Sequence, residues 1–396
     1  MKRLLLLVFA ASLVLPTASA APKAVAVKKL DIVASAVSAE GLVATGKTLV
    51  TYSNTGSTNS NIELTGLDVT GVQQWLRTID SGVDEIATAA TVDAAGNIWL
   101  AGSSAAVTVP ESVTAAISAE NPDGVVAEEL PKVRSDMNQI TIWKLSPIGE
   151  LLATFLSVQT SPALVSALSV NSSGVSLVGV LGDRPFLISA TPTGVFAKPL
   201  FIGTNKSALN AVVRSPDGSV NLFGESSETL GGKKVAGARD GILVKVSKAG
   251  AITSVVRSSA IKAQRSWLAA DSTLTLTGYV KSGKVIESAF TKFNSSFVPT
   301  WTMRIPSTGS STVLTAAGTT YGALSSNSAI KGVTGWKPTT PTLLLATFTN
   351  KGVMTGAYAD SQLSAPISLV YTKELGLCGL ARGSADSISI FRLATR

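Results

Sequence analysis

The sequence contains no histidine and only one cysteine among its 396 residues. Without histidine, a Ser-His-Asp or Cys-His catalytic arrangement is excluded, and so is a zinc site built on imidazole. The single cysteine, Cys378, has no intrachain partner for a disulfide and lies in LGLCGLA, where we expect a buried thiol. A metal would need hard oxygen ligands, as calcium does. We predict no cofactor and no metal site.

Charged residues are also few, at 15% of the chain, and their signs are unevenly distributed. Residues 241–396 hold 16 basic and 5 acidic side chains, whereas the chain as a whole has 33 and 25. This asymmetry leaves open an anionic partner such as an acidic glycan, a cell-wall polymer or DNA. The lysines are dispersed singly, which favours a solvated surface, and we expect no nucleic-acid partner.

The only long apolar run lies at the N-terminus. Residues 1–20, MKRLLLLVFAASLVLPTASA, combine two basic residues, an apolar stretch and small residues ending at Ala20. This pattern predicts a signal peptide cleaved after Ala20, and a protein that is secreted, periplasmic or extracellular. An uncleaved signal anchor is the alternative, although the run is short for crossing a bilayer. We expect no membrane span in the mature chain.

Short strand patterns dominate the rest of the sequence and recur about every 45–55 residues. The clearest repeated piece reads as the third of four strands and occurs as NIELTGLDVTG (61–71), QITIWKLSPIG (139–149), RPFLISATPTG (184–194), GILVKVSKAG (241–250), SAFTKFNSSF (288–297), TLLLATFTNKG (342–352) and SISIFRLATR (387–396). A repeat of this length made only of strands predicts an all-β fold, a β-propeller with four antiparallel strands per blade. Seven copies predict seven blades, formed as a single domain by residues 21–396.

Turns and strand composition predict how each blade is arranged. Gly41, Gly96, Gly174 and Gly218 stand where a tight hairpin between the first two strands needs a positive φ. The strand before each turn is rich in small residues, beginning with ASAVSA at 34–39, and is expected to lie next to the ring axis. Outer strands are bulkier, and we expect Trp75 and Trp301 to fill gaps between blades.

The ends of the chain predict how the ring closes. The last repeat, SISIFRLATR, reads as a third strand with no fourth strand after it. The segment AVAVKKL at 24–30, the N-terminal strand of the mature chain, is predicted to complete that last blade. Such closure would remove two exposed sheet edges.

The string DGILVKVSKAG at 240–250 resembles the repeat of a family of secreted bacterial β-propellers, in which a third strand of the type D-A-F-V-A-K-L-D-x-x-G precedes an aromatic-bearing outer strand. The resemblance implies the fold and no particular activity. Blades one and six depart from it, because no acid precedes their third strands. The acids that stand at this place in the other units are Asp136, Asp183, Asp240, Glu287 and Asp386. They could bind calcium in a ring, but capping of nearby turns is the favoured interpretation.

Insertions between second and third strands are the candidate binding loops. The longest runs from about 103 to 138 and is rich in acids, including Glu128 and Glu129, and smaller ones lie at 225–239 and 325–341. A loop this long is usually either functional or disordered.

The loops that enter the inner strands supply candidate residues at the mouth of the central channel. They are Asp84, Glu85, Lys206 and Arg265, of which the adjacent Asp84 and Glu85 would point to opposite faces. No catalytic residue is assigned.

The function favoured by these observations is a non-catalytic binding or scaffold protein whose ligand is another protein or a polysaccharide. The alternative is a propeller glycoside hydrolase or polysaccharide lyase that uses carboxylates at the channel mouth as acid and base. A purely structural envelope component is the third possibility.

Overall fold

A computed structural model describes residues 24–35, 37–56, 59–106, 135–259, 261–383 and 387–393. Among these residues the regular elements are thirty β-strands. The predicted signal peptide, most of the 103–138 insertion, Glu128, Glu129 and Asp386 lie outside the described residues. No helix in the described part of the chain is long and apolar enough to cross a bilayer.

The strands form seven sheets. The first two strands, β1 (Val25–Lys29) and β2 (Asp31–Ser35), join the last two sheets. Five sheets are each built from four successive antiparallel strands: sheet 1 from β3 (Gly41–Thr45), β4 (Thr48–Thr55), β5 (Asn61–Leu67) and β6 (Gln73–Ile79); sheet 2 from β7 (Glu85–Val92), β8 (Ile98–Ser104), β9 (Gln139–Leu145) and β10 (Leu151–Val158); sheet 3 from β11 (Ala163–Asn171), β12 (Gly174–Leu181), β13 (Arg184–Ala190) and β14 (Leu200–Phe201); sheet 4 from β15 (Ser207–Arg214), β16 (Val220–Ser226), β17 (Asp240–Val246) and β18 (Ile252–Ser258); sheet 5 from β19 (Gln264–Ala270), β20 (Thr275–Ser282), β21 (Val285–Phe293) and β22 (Pro299–Pro306).

The last two sheets also use strands from elsewhere in the chain. Sheet 6 contains β23 (Ser311–Ala316), β24 (Thr319–Ser326), β26 (Thr342–Phe348) and β27 (Met354–Ala359), extended by β1 and by β25 (Val333–Thr334). Sheet 7 contains β28 (Leu363–Thr372), β29 (Gly376–Gly383) and β30 (Ile388–Arg392), with β2 as its outer strand.

The sheets are arranged around an axis. Their first strands contact one another in the order β3, β7, β11, β15, β19, β23 and β28, and β28 contacts β3 again. Apolar side chains from facing sheets form the core, as where Val43 of sheet 1 and Leu100 of sheet 2 share one cluster. The predicted all-β propeller with four antiparallel strands per blade is confirmed.

The prediction for the N-terminal strand is wrong. AVAVKKL does not lie beside SISIFRLATR; β1 pairs in parallel with β27, with Val27 opposite Ala357, and Val25 pairs with Val333. The next segment, β2, is the one that pairs with β30. Val25 and Val27 pack into the apolar cluster of sheet 6, so this position buries the side chains that alternate along β1.

The first inner strand also lies later in the sequence than predicted. ASAVSA does not form it; β3 does, and the tight turn that follows uses Gly46 with a φ of 54° instead of Gly41. The segment EGLVATGKTLV carries a glycine at each end of β3, so local turn chemistry alone fits either position. Gly96, Gly174 and Gly218 do have positive φ, at 84°, 128° and 86°, as predicted.

Aromatic side chains fill gaps between neighbouring sheets, as predicted for Trp75 and Trp301. A Cβ placed on Gly149, in the turn before β10, would stand 2.6 Å from the Trp75 ring of the preceding sheet. The corresponding distance from Gly352 to the ring of Trp301 is 2.7 Å. In the same way, Phe155 of β10 lies against Gly194, in the turn that follows β13 of the next sheet. Glycine therefore makes room at these turns for a ring from the preceding sheet.

Candidate binding face

One face of the ring carries both the loops that enter the first strands and the turns between second and third strands. Backbone hydrogen bonds join the two kinds of loop, for example from Ser227 to the Lys206 carbonyl at 2.9 Å and from Thr308 to the Ser325 carbonyl at 2.8 Å. We call this surface the insertion face. Among its described segments are 80–84, 105–106, 135–138, 159–162, 202–206, 227–239, 261–263, 307–310 and 327–341.

The insertion of sheet 4 is fastened to the neighbouring loop through Glu228. The Glu228 carboxylate accepts hydrogen bonds from the Thr204 amide at 2.7 Å, the Thr204 hydroxyl at 3.0 Å and the Ser207 hydroxyl at 2.7 Å. Burial acts to raise the pKa of Glu228, but these donors outweigh it and lower the pKa. The negative charge is therefore part of the loop structure.

Asp240, the repeat acid at the start of β17, holds the end of the same insertion. It is 0% exposed and accepts hydrogen bonds from the amides of Ala236 and Gly237, at 3.0 and 2.9 Å, and from the Ser259 hydroxyl at 2.6 Å. Arg257 adds an ion pair at 3.3 Å. Burial opposes ionisation, yet the combined donors lower the pKa of Asp240. This buried carboxylate therefore caps a turn, as predicted.

A second ion pair on this insertion was not anticipated from the sequence. Arg239 contacts Glu225 at 2.5 Å, and the Tyr279 hydroxyl of sheet 5 lies 3.5 Å from the other Glu225 oxygen. Burial, together with the charge of Glu225, raises the pKa of Tyr279. The three residues come from three separate strands or loops, so no spacing in the sequence marks them as a group.

The predicted channel-mouth acids lie at the start of β7. Asp84 accepts a hydrogen bond from the Ser60 amide at 2.5 Å, which ties this loop to the turn between β4 and β5. Glu85 is 2% exposed and accepts a hydrogen bond from the Ser81 amide at 3.2 Å. Burial raises the pKa of Glu85, and its second oxygen is buried without a partner among the described residues. Neither arrangement presents a free carboxylate pair to a substrate.

The predicted basic residues lie in other sheets. Lys206 is exposed on the loop that enters β15. Arg265 is 9% exposed at the start of β19, with its guanidinium carbon 4.2 Å from the centre of the Trp267 ring. Burial and the nearby charge of Arg304 lower the pKa of Arg265 to about 10. Its side chain faces a pocket between sheets 4 and 5.

The other repeat acids have unlike surroundings. Asp183 is exposed, and Glu287 forms an ion pair with Arg304 at 3.5 Å. The carbonyl of Asp136 accepts hydrogen bonds from Ala106 and Asn138 at the base of the long insertion. Within the described ranges, no three acidic or cysteine side chains converge as metal ligands would.

A basic groove of about 770 Å³ runs between the sheet 4 insertion and β18. Lys233 and Lys234 line one wall and are exposed, whereas Arg257 at the base donates to the Lys233 carbonyl at 3.0 Å. The lysines are therefore available to an anionic ligand, and the arginine holds the loop on which they stand.

The sequence matches no protein-family model and no curated protein. Solved structures are similar in fold. The WD40 domain of Toxoplasma gondii coronin is 10% identical, with a TM-score of 0.52 over 94% of this chain and 90% of that one. The β-propeller domain of the trilobed protease from Pyrococcus furiosus is 9% identical, with a TM-score of 0.50 over 93% of this chain and 97% of that one. At these identities the likeness concerns the propeller fold alone.

Proposed function

We propose that this protein is a secreted, non-catalytic β-propeller that binds a protein or a polysaccharide through its insertion face. In this proposal each of the seven sheets is one blade, and β2 beside β30 closes the ring. Residues 1–20 act as a cleaved signal peptide, so the mature protein works outside the cytoplasm.

The observation that supports binding is the preorganised insertion of sheet 4. Glu228 and Asp240 anchor its two ends through charge-assisted hydrogen bonds, and the ion pair between Arg239 and Glu225 adds a third anchor. Between these anchors the insertion presents Lys233 and Lys234 to solvent beside an open groove. A loop already held in one shape loses little conformational entropy when it binds, so it suits recognition.

The hydrolase or lyase alternative needs two carboxylates that reach a substrate. Glu85 is buried and Asp84 accepts a hydrogen bond from the Ser60 amide, so these two carboxylates do not support that alternative.

Glycan arrays and immobilised envelope polymers test the proposal on the mature protein. We expect a bound polymer or protein that is lost in the K233E/K234E variant, because reversing two exposed charges repels an anionic ligand. The matched control is K248E/K351E. It reverses two exposed lysines in the turns that follow β17 and β26, on the face of the ring away from the insertion face. A ligand that is retained by the first variant and lost by the control, or no ligand at all, contradicts the proposal.

A further inference from the structure

The boundary between sheets 4 and 5 contains a pocket of about 270 Å³. One part of its wall is apolar and includes Val256 of β18 and Phe293 and Phe297 of sheet 5. The other part is polar and includes Arg265, Thr291, Thr302 and Arg257, of which Arg257 is already paired with Asp240. The pocket thus combines a cation, hydroxyl groups and an apolar surface, which is the usual composition of a small-molecule site.

A gap-filling ring like that of Phe155 is missing at this boundary. Val256 stands six residues after Gly250, the turn glycine of its sheet, just as Phe155 stands six residues after Gly149. At the turn of sheet 5 the glycine itself is replaced by Phe297, which adopts a φ of 59° that favours glycine. The ring of Phe297 packs against Phe223 with centroids 6.0 Å apart, which fills the core side and leaves the outer part open.

Arg265 carries a buried charge that the protein does not neutralise. Its Nε is buried and has no acceptor among the described residues. The guanidinium carbon lies 4.2 Å from the centre of the Trp267 ring. The neighbouring acids serve other arginines, Asp240 pairing with Arg257 and Glu287 with Arg304. A buried charge without a partner is costly, so an anion that supplied one would be bound favourably.

We propose that this pocket binds a small organic oxyanion, a carboxylate or a phosphate monoester, with Arg265 as its main anchor. The guanidinium fork donates two parallel hydrogen bonds to the oxyanion. Thr291 and Thr302 lie 3.1 Å apart at their hydroxyl oxygens, and since their mutual bond uses one hydroxyl hydrogen, the other can donate to the ligand. Phe293 and Phe297 contact the apolar body. The site shares Val256 and Arg257 with the groove beside Lys233 and Lys234.

Calorimetric titration of the mature protein with benzoate and phenyl phosphate tests the site, with inorganic phosphate and benzyl alcohol as comparisons. We expect saturable binding of at least one organic anion, weaker binding of inorganic phosphate and none of benzyl alcohol. The R265M variant should weaken the anion at least about tenfold, because the charge-assisted hydrogen bonds are lost. Saturable binding of benzoate but not phenyl phosphate, or the reverse, identifies which oxyanion the pocket accepts.

Two further variants test separately whether binding needs the open pocket and whether it needs Arg265 in particular. V256F keeps Arg265 but places a ring in the pocket, as Phe155 does elsewhere, and should also abolish binding. R382M removes an exposed arginine of β29, in sheet 7, that does not line the pocket, and it should bind the anion within about threefold of the wild type. All variants are checked by far-ultraviolet circular dichroism.

The proposal is overturned if neither organic anion binds the wild-type protein, or if R265M binds as tightly as the wild type. Equal binding of benzyl alcohol would reduce the pocket to an apolar cavity and would overturn the assignment of Arg265 as anchor. In anion-free buffer, R265M should unfold at a urea concentration no lower than that of the wild type. A marked fall would show that Arg265 has a stabilising partner in the protein, which also contradicts the proposal.

Discussion

Arg214 and Arg265 both lie at boundaries between neighbouring sheets, and their surroundings are opposite. Arg214, at the end of β15, donates to the Ser173 and Ser176 hydroxyls at 2.8 and 2.9 Å and to the Ser173 carbonyl at 2.9 Å. Arg265 has none of these partners among the described residues. Burial lowers the pKa of both. Hydroxyls and a carbonyl therefore satisfy the half-buried Arg214 at one boundary, whereas the Nε of the buried Arg265 has no acceptor at another.

The same contrast appears in packing. At the boundary of sheets 2 and 3, the ring of Phe155 covers Gly194, and it stacks on Trp99 with centroids 6.2 Å apart. At the boundary of sheets 4 and 5, a valine stands in the place of that ring and a pocket is left. The first boundary is closed by the ring, and the second leaves a pocket beside Arg265.

The largest expected effect comes from opening the packed boundary. Phe155→Ala should lower the free energy of unfolding by about 3 kcal/mol, because the ring is lost and Gly194 cannot fill the space. Val256→Ala at the open boundary should cost under about 1 kcal/mol, because few contacts are lost there. Urea denaturation of both variants checks the difference. Equal costs would show that the two boundaries are packed alike.

The next effect concerns the two arginines themselves. Arg214→Met should lower the free energy of unfolding by about 2 kcal/mol, because the Ser173 carbonyl and neighbouring hydroxyls lose their donor. Arg265→Met should be neutral or stabilising in anion-free buffer, because an uncompensated buried charge is removed. Denaturation curves of the two variants, measured in one buffer, provide the test. The reverse ranking would show that Arg265 contributes more to stability than Arg214.

Glu85 is a buried acid with one carboxylate oxygen that has no partner among the described residues. Because burial raises the pKa of Glu85, the folded protein holds this proton more tightly than the unfolded chain. Its stabilising contribution is present below the unfolded pKa and is lost as pH rises through the folded pKa. Between the unfolded and the folded pKa, the free energy of unfolding of the wild type should fall relative to that of Glu85→Gln by ~1 kcal/mol for each pH unit.

The measurement for Glu85 is the free energy of unfolding as a function of pH from 4 to 8. The exposed Asp183→Asn variant is the matched control for loss of one negative charge. Parallel curves for the wild type and Glu85→Gln would show that this carboxyl is solvated.

The smallest expected effect is an increase in the free energy of unfolding. Val256→Phe should raise the free energy of unfolding by about 0.5–1 kcal/mol in anion-free buffer, because a ring fills space that is empty at this boundary. Thermal unfolding with and without benzoate gives the readout, since only the wild type should be further stabilised by the anion. A loss of stability would indicate that the pocket is too narrow for a ring.

Part of the candidate site could be foreseen from residue type and position. Asp240 was expected to cap a turn, and the structure shows its amide partners. Arg265 was selected for its place before an inner strand, yet what distinguishes it is a missing partner, which no local pattern reveals. Glu225 and Arg239 escaped notice because they lie 14 positions apart on different elements.

The sequence by itself determined the all-β propeller and its four-stranded blades, because the alternation of apolar residues and the turn glycines are local signals that repeat along the chain. Only the tertiary structure decided where β1 lies, since its alternating valines suit either of two sheet edges and the choice depends on partners more than 300 residues away. The pocket beside Arg265 was likewise decided by packing between sheets. The pocket lies beside a valine at a position where the boundary of sheets 2 and 3 has a ring, and this is visible only when the two sheets face each other.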